Sequence, residues 1–395
     1  MRVIGMISGT SFDAIEAVAM NLSLQDRLIM AELLGHVSVA YAPALRHDIE
    51  AVLPPGSTTV EQLCQLDTSI GQSFADVAAQ LGEQYFAGTP DVVCSHGQTV
   101  FHWVNGGQAL GTLQLGQGAW IAERTGATVV FDVRSRDVAA GGHGAPLASL
   151  LDVLLLGRTP SIVRGALNLG GIANITVVSP TNDPIAFDIG PSNALIDAAV
   201  SWLSEGKETF DVDGRRAAQG RADGELLAVL LADPYYRLPT PKSTGKEHFH
   251  LDYLKERLGS RQIAPDDLVA TLTALTAETV ANAVSQLGVV ELFASGGGTR
   301  NPVLMREIGR RISPVKLSLI DEFGVPEAAK EAVLFAIIGF LTVQQLAGSV
   351  ASCTGARESN ILGAIIPGRQ ELSHLAPDAA PTGLSFLNSA AEVRG

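Results

Sequence analysis

Short apolar runs of strand length alternate along this chain with longer segments of helical periodicity. The runs 2–7, 14–20 and 128–133 predict strands, and 59–84 repeats apolar residues at the three- and four-residue spacings of a helix. Pro265-Asp266-Asp267 precedes a second long helix, predicted over 268–286. Alternation of this kind predicts an α/β protein.

The central stretch of the chain carries the most informative pattern. Two apolar runs of strand length flank Gly170-Gly171, where the missing Cβ atoms permit a tight turn and close approach to a ligand. This arrangement predicts a phosphate-binding hairpin. Asp188 is predicted to end the next strand, and Gly190-Pro191 to break the chain before a helix capped by Ser192 or Asn193. We expect the carboxylate of Asp188 to face whatever the hairpin holds.

Two further glycine-containing turns favour nucleotide binding. The turn Ser8–Asp13 joins two predicted strands and offers N–H and hydroxyl groups to an anion, with Asp13 suited to a magnesium-bound water. An ordinary hairpin is the alternative. The cluster 296–298 lies between a strand predicted at 289–294 and a helix that begins at Val303, which permits close approach of a nucleotide. Neither the Walker A spacing nor that of a dinucleotide fingerprint is present.

Two polar segments are candidates for ligand contact. His96, Gln98 and Thr99 surround one glycine at a predicted strand end, which is a plausible hydrogen-bonding site for a sugar. A histidine satisfied in the core is the alternative. The loop 134–147 combines paired arginines with a Gly-Gly-x-Gly bend, a pattern that favours ligand contact over a solvated surface turn.

Composition narrows the class of protein. With 395 residues, of which 46% are hydrophobic and 17% charged, the chain is long enough for two domains. A net charge of -14 argues against a nucleic-acid partner. The apolar runs are too short for a bilayer and no signal segment opens the sequence, so we expect a cytoplasmic protein without a membrane partner. We also expect a homodimer, and reduced structural thiols at Cys64, Cys94 and Cys353.

From about residue 3 to 367 the order of these motifs resembles that of the anhydro-N-acetylmuramic acid kinase family, within the actin-like sugar kinase ATPase superfamily. The matching segments are Ser8-Gly9-Thr10-Ser11-x-Asp13, Ser95–Thr99, Arg134–Leu147, Asn168-x-Gly170-Gly171-Ile172-Ala173-Asn174, Phe187-Asp188-x-Gly190-Pro191-x-Asn193, Lys242-Ser243-Thr244-Gly245, Ser295-Gly296-Gly297-Gly298-x-x-Asn301-Pro302 and Lys330-Glu331-Ala332.

The resemblance implies a two-domain actin-like ATPase (sugar kinase) fold with ATP in a central interdomain cleft that closes during turnover. We expect an N-terminal domain of 1–135 plus about 352–370, a C-terminal domain of 136–351 and a loosely ordered tail at 371–395. The implied reaction phosphorylates 1,6-anhydro-N-acetylmuramic acid with ATP and Mg²⁺ while water opens the anhydro ring, a step of peptidoglycan recycling. The alternatives are a kinase for an anhydrosugar without the lactyl group, and a non-catalytic nucleotide-binding protein of the same fold.

The resemblance also implies roles for particular residues. Asp188 is the expected general base, and Asp13 is expected to reach Mg²⁺ through water. Departures from the family pattern at Phe12, Ala14 and Ser192 are expected to affect ATP affinity before they affect the fold. The residues expected to bind ATP are Gly9, Thr10, Ser11, Phe12, Asp13, Ala14, Ile15, Glu16, Asn168, Gly170, Gly171, Asn174, Gly296, Gly297, Gly298 and Asn301. The residues expected to contact the sugar are His96, Gln98, Thr99, Arg136, Asp137 and Glu331.

Overall fold

The computed structural model describes residues 1–157, 161–370 and 380–387. The strands are β1 Arg2–Ser8, β2 Ala14–Gln25, β3 Leu28–Ala40, β4 Val92–Asn105, β5 Gln108–Leu115, β6 Thr128–Phe131, β7 Arg164–Leu169, β8 Ile172–Val178, β9 Ile185–Pro191, β10 Glu291–Ser295, β11 Lys316–Leu319, β12 Ala364–Ile366 and β13 Gly383–Phe386. The helices are α1 Pro43–Val52, α2 Val60–Phe86, α3 Gly118–Thr125, α4 Ser135–Ala139, α5 Ala148–Leu156, α6 Asn193–Leu203, α7 Arg215–Gln219, α8 Gly224–Leu231, α9 Leu251–Leu258, α10 Pro265–Gln286, α11 Pro302–Ile312, α12 Lys330–Val343 and α13 Ala351–Thr354.

These elements form two compact units, each with a β-sheet and packed helices. The α/β class is therefore confirmed. One unit comprises Met1–Arg158 and Asp321–Gly395, and the other Thr159–Ile320. The first unit is discontinuous in sequence, but its boundaries differ from the predicted 135/136 and 351/352. The segment that contains α12 belongs to the first unit because α12 packs directly against β1. A Cβ at Gly5 would lie 2.1 Å from the carbonyl oxygen of Ala332, an approach that only glycine permits.

The first unit is built on one mixed sheet in the order β12-β6-β4-β1-β2-β3-β13, with β5 paired to β4. Strands β1, β2 and β3 form an antiparallel meander, while β4 is parallel to β1 and to β6. Helix α2 covers one face through buried apolar side chains such as Ile70 and Phe74. Its first turn carries the reciprocal hydrogen bonds of Thr59 and Gln62, a capping box that explains why the helix begins there.

The second unit is built on a sheet in the order β11-β10-β7-β8-β9. Strands β7, β8 and β9 are antiparallel neighbours, and β10 lies parallel to β7 with Ser295 opposite Asn168. Helix α10 is long and apolar enough to cross a membrane by length and composition, but 78% of its most apolar window is buried. It is the core helix of this unit, with fully buried residues such as Leu272 and Val280.

Two predicted strand ends are wrong. Gln98 and Thr99 do not lie in a turn after β4, because β4 continues and pairs them with Leu115 and Gln114 of β5. Asp188 does not end β9 either. Pro191 still pairs with Ile172, which the fold tolerates because β9 is an edge strand and needs no N–H donor there.

The predicted helix cap after β9 is confirmed in its position but not in its hydrogen bond. Ser192 is the N-cap residue of α6, but its side chain accepts no capping hydrogen bond. The side chain of Asn193 instead donates to the carbonyl oxygens of Leu169 and Gly170, at 3.1 and 2.9 Å. The first residues of α6 therefore bind the hairpin rather than only their own helix.

The loosely ordered tail predicted at 371–395 contains a strand. Residues 383–386 pair in parallel with Leu28–Ala31 of β3, and Leu384 and Phe386 are 2% and 4% exposed. The physical reason is that β3 is otherwise an edge strand, and β13 covers its free backbone groups while burying two large side chains. The segments 371–379 and 388–395 lie outside the described residues.

Candidate functional site

The first turn of the chain, between β1 and β2, is held by side chains. The N–H of Phe12 donates to the carbonyl of Gly9 at 3.1 Å, and Phe12 has a φ of 43°, in the left-handed region that disfavours a bulky residue. The guanidinium of Arg46 lies 5.6 Å from the centre of the Phe12 ring and donates to Oδ1 of Asp13 at 2.7 Å. Arg46 thereby stabilises this turn.

Gln98 connects this turn to β4. Its side chain is fully buried, its Oε1 accepts a hydrogen bond from the Ser8 hydroxyl at 2.5 Å, and its Nε2 donates to the carbonyl of Gly9 at 3.2 Å. These two hydrogen bonds of the buried Gln98 amide therefore hold the turn in its conformation. Gln98 has no exposed surface in this structure, and its contact with the sugar stays a prediction.

His96, another predicted sugar contact, is also used internally. Its Nδ1 lies 3.0 Å from the carbonyl of Gly97, and its Nε2 accepts a hydrogen bond from Nε of Arg134 at 2.7 Å. Burial, and then the Arg134 cation, lower the pKa of His96 to about 3. The ring is therefore neutral near pH 7 and orients Arg134.

Asp137 is fully buried as well. Its Oδ2 accepts a hydrogen bond from the N–H of Gly144, and its Oδ1 one from the hydroxyl of Thr354, both at 2.8 Å. The carboxylate thus joins the loop 134–147 to helix α13, which ends at Thr354. It holds the loop, and offers no free surface to a ligand.

The other predicted sugar contacts present more of their side chains. Thr99 is partly exposed, and Arg136 and Glu331 are exposed. Although Glu331 as a whole residue is exposed, protein atoms packed around its carboxyl group partly exclude water and raise its pKa, while the Arg134 and Lys330 cations oppose this and Glu16 adds to it. Glu331 therefore interacts electrostatically with Arg134 and with Glu16 of β2. Glu16, a predicted ATP contact, pairs at 2.6 Å with His36 of β3.

In the second unit, α6 fixes the hairpin around Gly170-Gly171. The N–H of Asn193 donates to the carbonyl of Gly170 at 3.1 Å, and those of Ser192 and Ala194 donate to the carbonyl of Gly171 at 2.9 and 3.0 Å. The hairpin carbonyls therefore face the helix. The N–H groups of Gly170 and Gly171 donate to no acceptor in the part of the chain that the structure describes.

The late glycine cluster packs against this hairpin. Gly296 has a φ of 90°, and a Cβ there would lie 2.6 Å from Oδ1 of Asn168 and 2.8 Å from the N–H nitrogen of Leu169. Asn301, a predicted ATP contact, caps α11, and its Oδ1 accepts hydrogen bonds from Val303 and Leu304, both at 3.1 Å. Two motifs separated by more than a hundred residues thus pack against each other.

Asp188 lies on β9, with Asn174 of β8 as its register partner. Its Oδ2 accepts hydrogen bonds from the Ser243 hydroxyl at 2.9 Å and from the Thr244 N–H at 3.0 Å. Burial raises the pKa of Asp188, those two hydrogen bonds lower it, and the Glu247 carboxylate raises it. Its Oδ1 accepts no hydrogen bond from the described residues, so one carboxylate oxygen is fixed while the other is available as a proton acceptor.

Sequence reasoning assigned no role to the residues that hold Asp188. Ser243 and Thr244 lie in a loop whose Lys-Ser-Thr-Gly sequence we noted only as part of the resemblance. The backbone confirms that this loop is attached to β9, because the N–H of Asp188 donates to the carbonyl of Lys242 at 3.0 Å. A polar loop of this composition, distant in sequence from a strand-borne carboxylate, gives no signal of which strand it will contact.

A family model described as anhydro-N-acetylmuramic acid kinase matches residues 1–368. The chain belongs to this family, and it is therefore a kinase. A curated family member from Streptomyces coelicolor is 54% identical over 96% of this chain and 97% of its own length. A second, from Rhodococcus erythropolis, is 53% identical over 95% of this chain and 96% of its own length.

Among solved structures, a ROK family glucokinase from Streptomyces griseus in complex with glucose and AMPPNP is 12% identical, with a TM-score of 0.37 over 86% of this chain and 99% of that one. This likeness is too slight to carry an argument about the site.

Proposed function

We propose that the protein uses ATP to phosphorylate 1,6-anhydro-N-acetylmuramic acid and opens its anhydro ring with water, which gives N-acetylmuramic acid 6-phosphate and ADP. Membership of the family and the names of the similar proteins support this substrate. The single structural observation that carries the chemistry is the carboxylate of Asp188, fixed through Oδ2 and free at Oδ1.

In the proposed reaction Asp188 acts as general base. Oδ1 takes a proton from water as the water oxygen bonds to the anomeric carbon and the anhydro C–O bond breaks. The freed sugar oxygen bonds to the terminal phosphorus of ATP, and the bond from that phosphorus to the ADP oxygen breaks. Burial favours this role because it raises the pKa of the carboxyl, and so its affinity for a proton, while two donors keep the ionised form accessible.

The phosphate groups of ATP need hydrogen-bond donors, and the hairpin supplies unpaired ones at Gly170 and Gly171. The turn Ser8–Asp13 is the corresponding candidate in the first unit. Among the described residues no group of three or more His, Cys, Asp or Glu side chains is arranged to hold a metal ion. The exposed carboxylate of Asp13 instead suits Mg²⁺ held through water, since this ion keeps several waters and binds substrate phosphates. Mg²⁺ would supply charge neutralisation on the phosphates.

The lactyl carboxylate distinguishes the proposed substrate from a simpler anhydrosugar. The exposed guanidinium of Arg136 suits a carboxylate, which is the physical argument for the muramic acid derivative.

The homodimer, the cytoplasmic location and closure of the domains on ligand stay predictions.

The test is an assay of the purified protein with ATP, Mg²⁺ and a panel of anhydrosugars with and without the lactyl group. We expect ADP release only with the lactyl-bearing sugar, and a product whose mass is that of the sugar plus water and one phosphoryl group. Preferred turnover of a sugar without the lactyl group would replace the substrate assignment. ATP binding without turnover of any sugar would favour a non-catalytic nucleotide-binding protein.

A further inference from the structure

The loop that holds Asp188 continues to a lysine beside the hairpin. Ser243 and Thr244 anchor the loop to the Asp188 carboxylate, and Nζ of Lys242 donates to the carbonyl of Tyr235 at 3.0 Å. Lys246 follows only two residues after this anchored segment. Lys246 therefore lies on the same loop as the residues that hold the candidate base.

The side chain of Lys246 extends over the hairpin. A Cβ at Gly171 would lie 2.8 Å from Cε and 3.8 Å from Nζ of Lys246. Any larger residue at position 171 would displace the lysine. Because Gly171 has no side chain, the Lys246 side chain can lie close to the turn. The same glycine also permits the turn itself.

The Lys246 ammonium and the nearby hairpin N–H groups are hydrogen-bond donors that have no acceptor among the described residues. The Lys246 ammonium carries three N–H donors and forms no hydrogen bond or salt bridge with the described residues. The N–H groups of Gly170 and Gly171 have no acceptor within the described chain either. The adjacent hairpin carbonyls are all directed to α6. Converging donors of this kind form a site for an anion with several oxygens.

A carboxylate on α6 interacts electrostatically with Lys246. Burial raises the pKa of Asp197 to about 6, the Lys246 cation opposes this rise, and Asp211 adds to it. Lys246 and Asp197 therefore interact through space without forming a salt bridge. A simple structural role for Lys246 would be to neutralise Asp197.

We propose that Lys246 binds the terminal phosphate of the nucleoside triphosphate at the hairpin and stabilises its charge during transfer. The identity of the nucleotide rests on the proposed function, whereas the phosphate site rests on the donors described above. Lys246 lies on the same loop as Ser243 and Thr244, which hold the candidate base, and this is the argument for the terminal phosphate over the other two. A lysine is a compact cation suited to this task.

Binding of nucleotides without sugar tests the proposal independently of turnover. Calorimetry would compare a non-hydrolysable ATP analogue with ADP, each with Mg²⁺, on the wild type, Lys246→Met, Lys246→Arg and Lys207→Met. Lys207 is an exposed lysine of the same unit, 3.9 Å from Glu205, and serves as the matched control. We expect Lys246→Met to weaken the ATP analogue about tenfold or more and to leave ADP nearly unchanged. Lys207→Met should bind as the wild type does, and Lys246→Arg, which keeps the charge in a larger planar group, should fall between Lys246→Met and the wild type.

Equal weakening of ADP and the analogue, or no weakening at all, would overturn the assignment to the terminal phosphate. The double variant Lys246→Met with Asp197→Asn separates the structural role. Recovery of analogue binding in that double variant would mean that Lys246 only neutralises Asp197, which also overturns the proposal. In the sugar assay, we expect kcat of Lys246→Met to fall about 100-fold. A wild type that binds the analogue through Lys246 yet turns over no anhydrosugar would refute the proposed function and leave this site standing.

Discussion

The hydroxyl of Ser243 donates a hydrogen bond of 2.9 Å to Oδ2 of Asp188, across 55 residues of sequence. This contact, together with the Thr244 N–H at 3.0 Å, occupies one oxygen of the carboxylate. The other oxygen is the proposed proton acceptor. The loop therefore decides both the direction in which the base points and how readily it ionises.

Asp188→Asn tests the base directly. The amide preserves the shape of the side chain and, through its oxygen, can still accept hydrogen bonds from the loop, but it cannot take a proton from water. We expect kcat to fall about 100-fold or more while ATP affinity barely changes. The measurement is steady-state turnover at saturating anhydrosugar, with calorimetric ATP binding as the control. Near-normal turnover by the folded variant would remove Asp188 from the mechanism.

Ser243→Ala should change the pH dependence of turnover. The lost hydrogen bond stabilises the ionised carboxylate, so its removal raises the pKa of Asp188. The base works only when it is ionised, and activity rises with pH through that pKa. The acid limb of the kcat/KM profile should therefore move to higher pH.

Two other groups also act on the pKa of Asp188. The Thr244 N–H remains in the variant, and Glu247 is the carboxylate that also raises the pKa. Ser243→Thr retains the hydroxyl and should restore the wild-type profile. A uniform loss of activity at every pH, without movement of the acid limb, would mean that Ser243 acts on something other than this ionisation.

Gly296→Ala tests the contact between the late glycine cluster and the hairpin. The added methyl would approach Oδ1 of Asn168 within 2.6 Å at a residue whose φ is 90°. We expect a weaker ATP analogue complex and a lower melting temperature. Gly224→Ala is the matched control in the same unit, because a Cβ at Gly224 meets no atom within 4 Å. Similar behaviour of both variants would contradict a role for this packing.

Phe386→Ala tests the C-terminal strand. Phe386 is 4% exposed on β13, whereas its neighbour Leu387 is 46% exposed. Removing the buried ring should destabilise the protein by about 3 to 5 kcal/mol, and Leu387→Ala should cost far less. Thermal melting compares the two variants. Equal melting temperatures for Phe386→Ala and the wild type would show that β13 adds nothing to the stability of the first unit.

Sequence by itself determined the α/β class, the two hairpins with their glycines and the long helices α2 and α10. These features depend on local periodicity and on residues such as Gly170-Gly171, whose backbone freedom is visible in the sequence. It also identified the family, because many short motifs occur in a fixed order.

Tertiary structure alone decided what several of those residues do. Gln98, His96 and Asp137 look equally suited to a ligand in sequence, and only the structure shows that they are buried and hydrogen-bonded within the protein, while their contact with the sugar stays a prediction. Ser243 and Lys246 carried no catalytic signal, because their roles depend on which strand and which hairpin the loop reaches. Strand β13 was likewise hidden in a polar tail, because a short strand is stable only when another strand offers it an open edge.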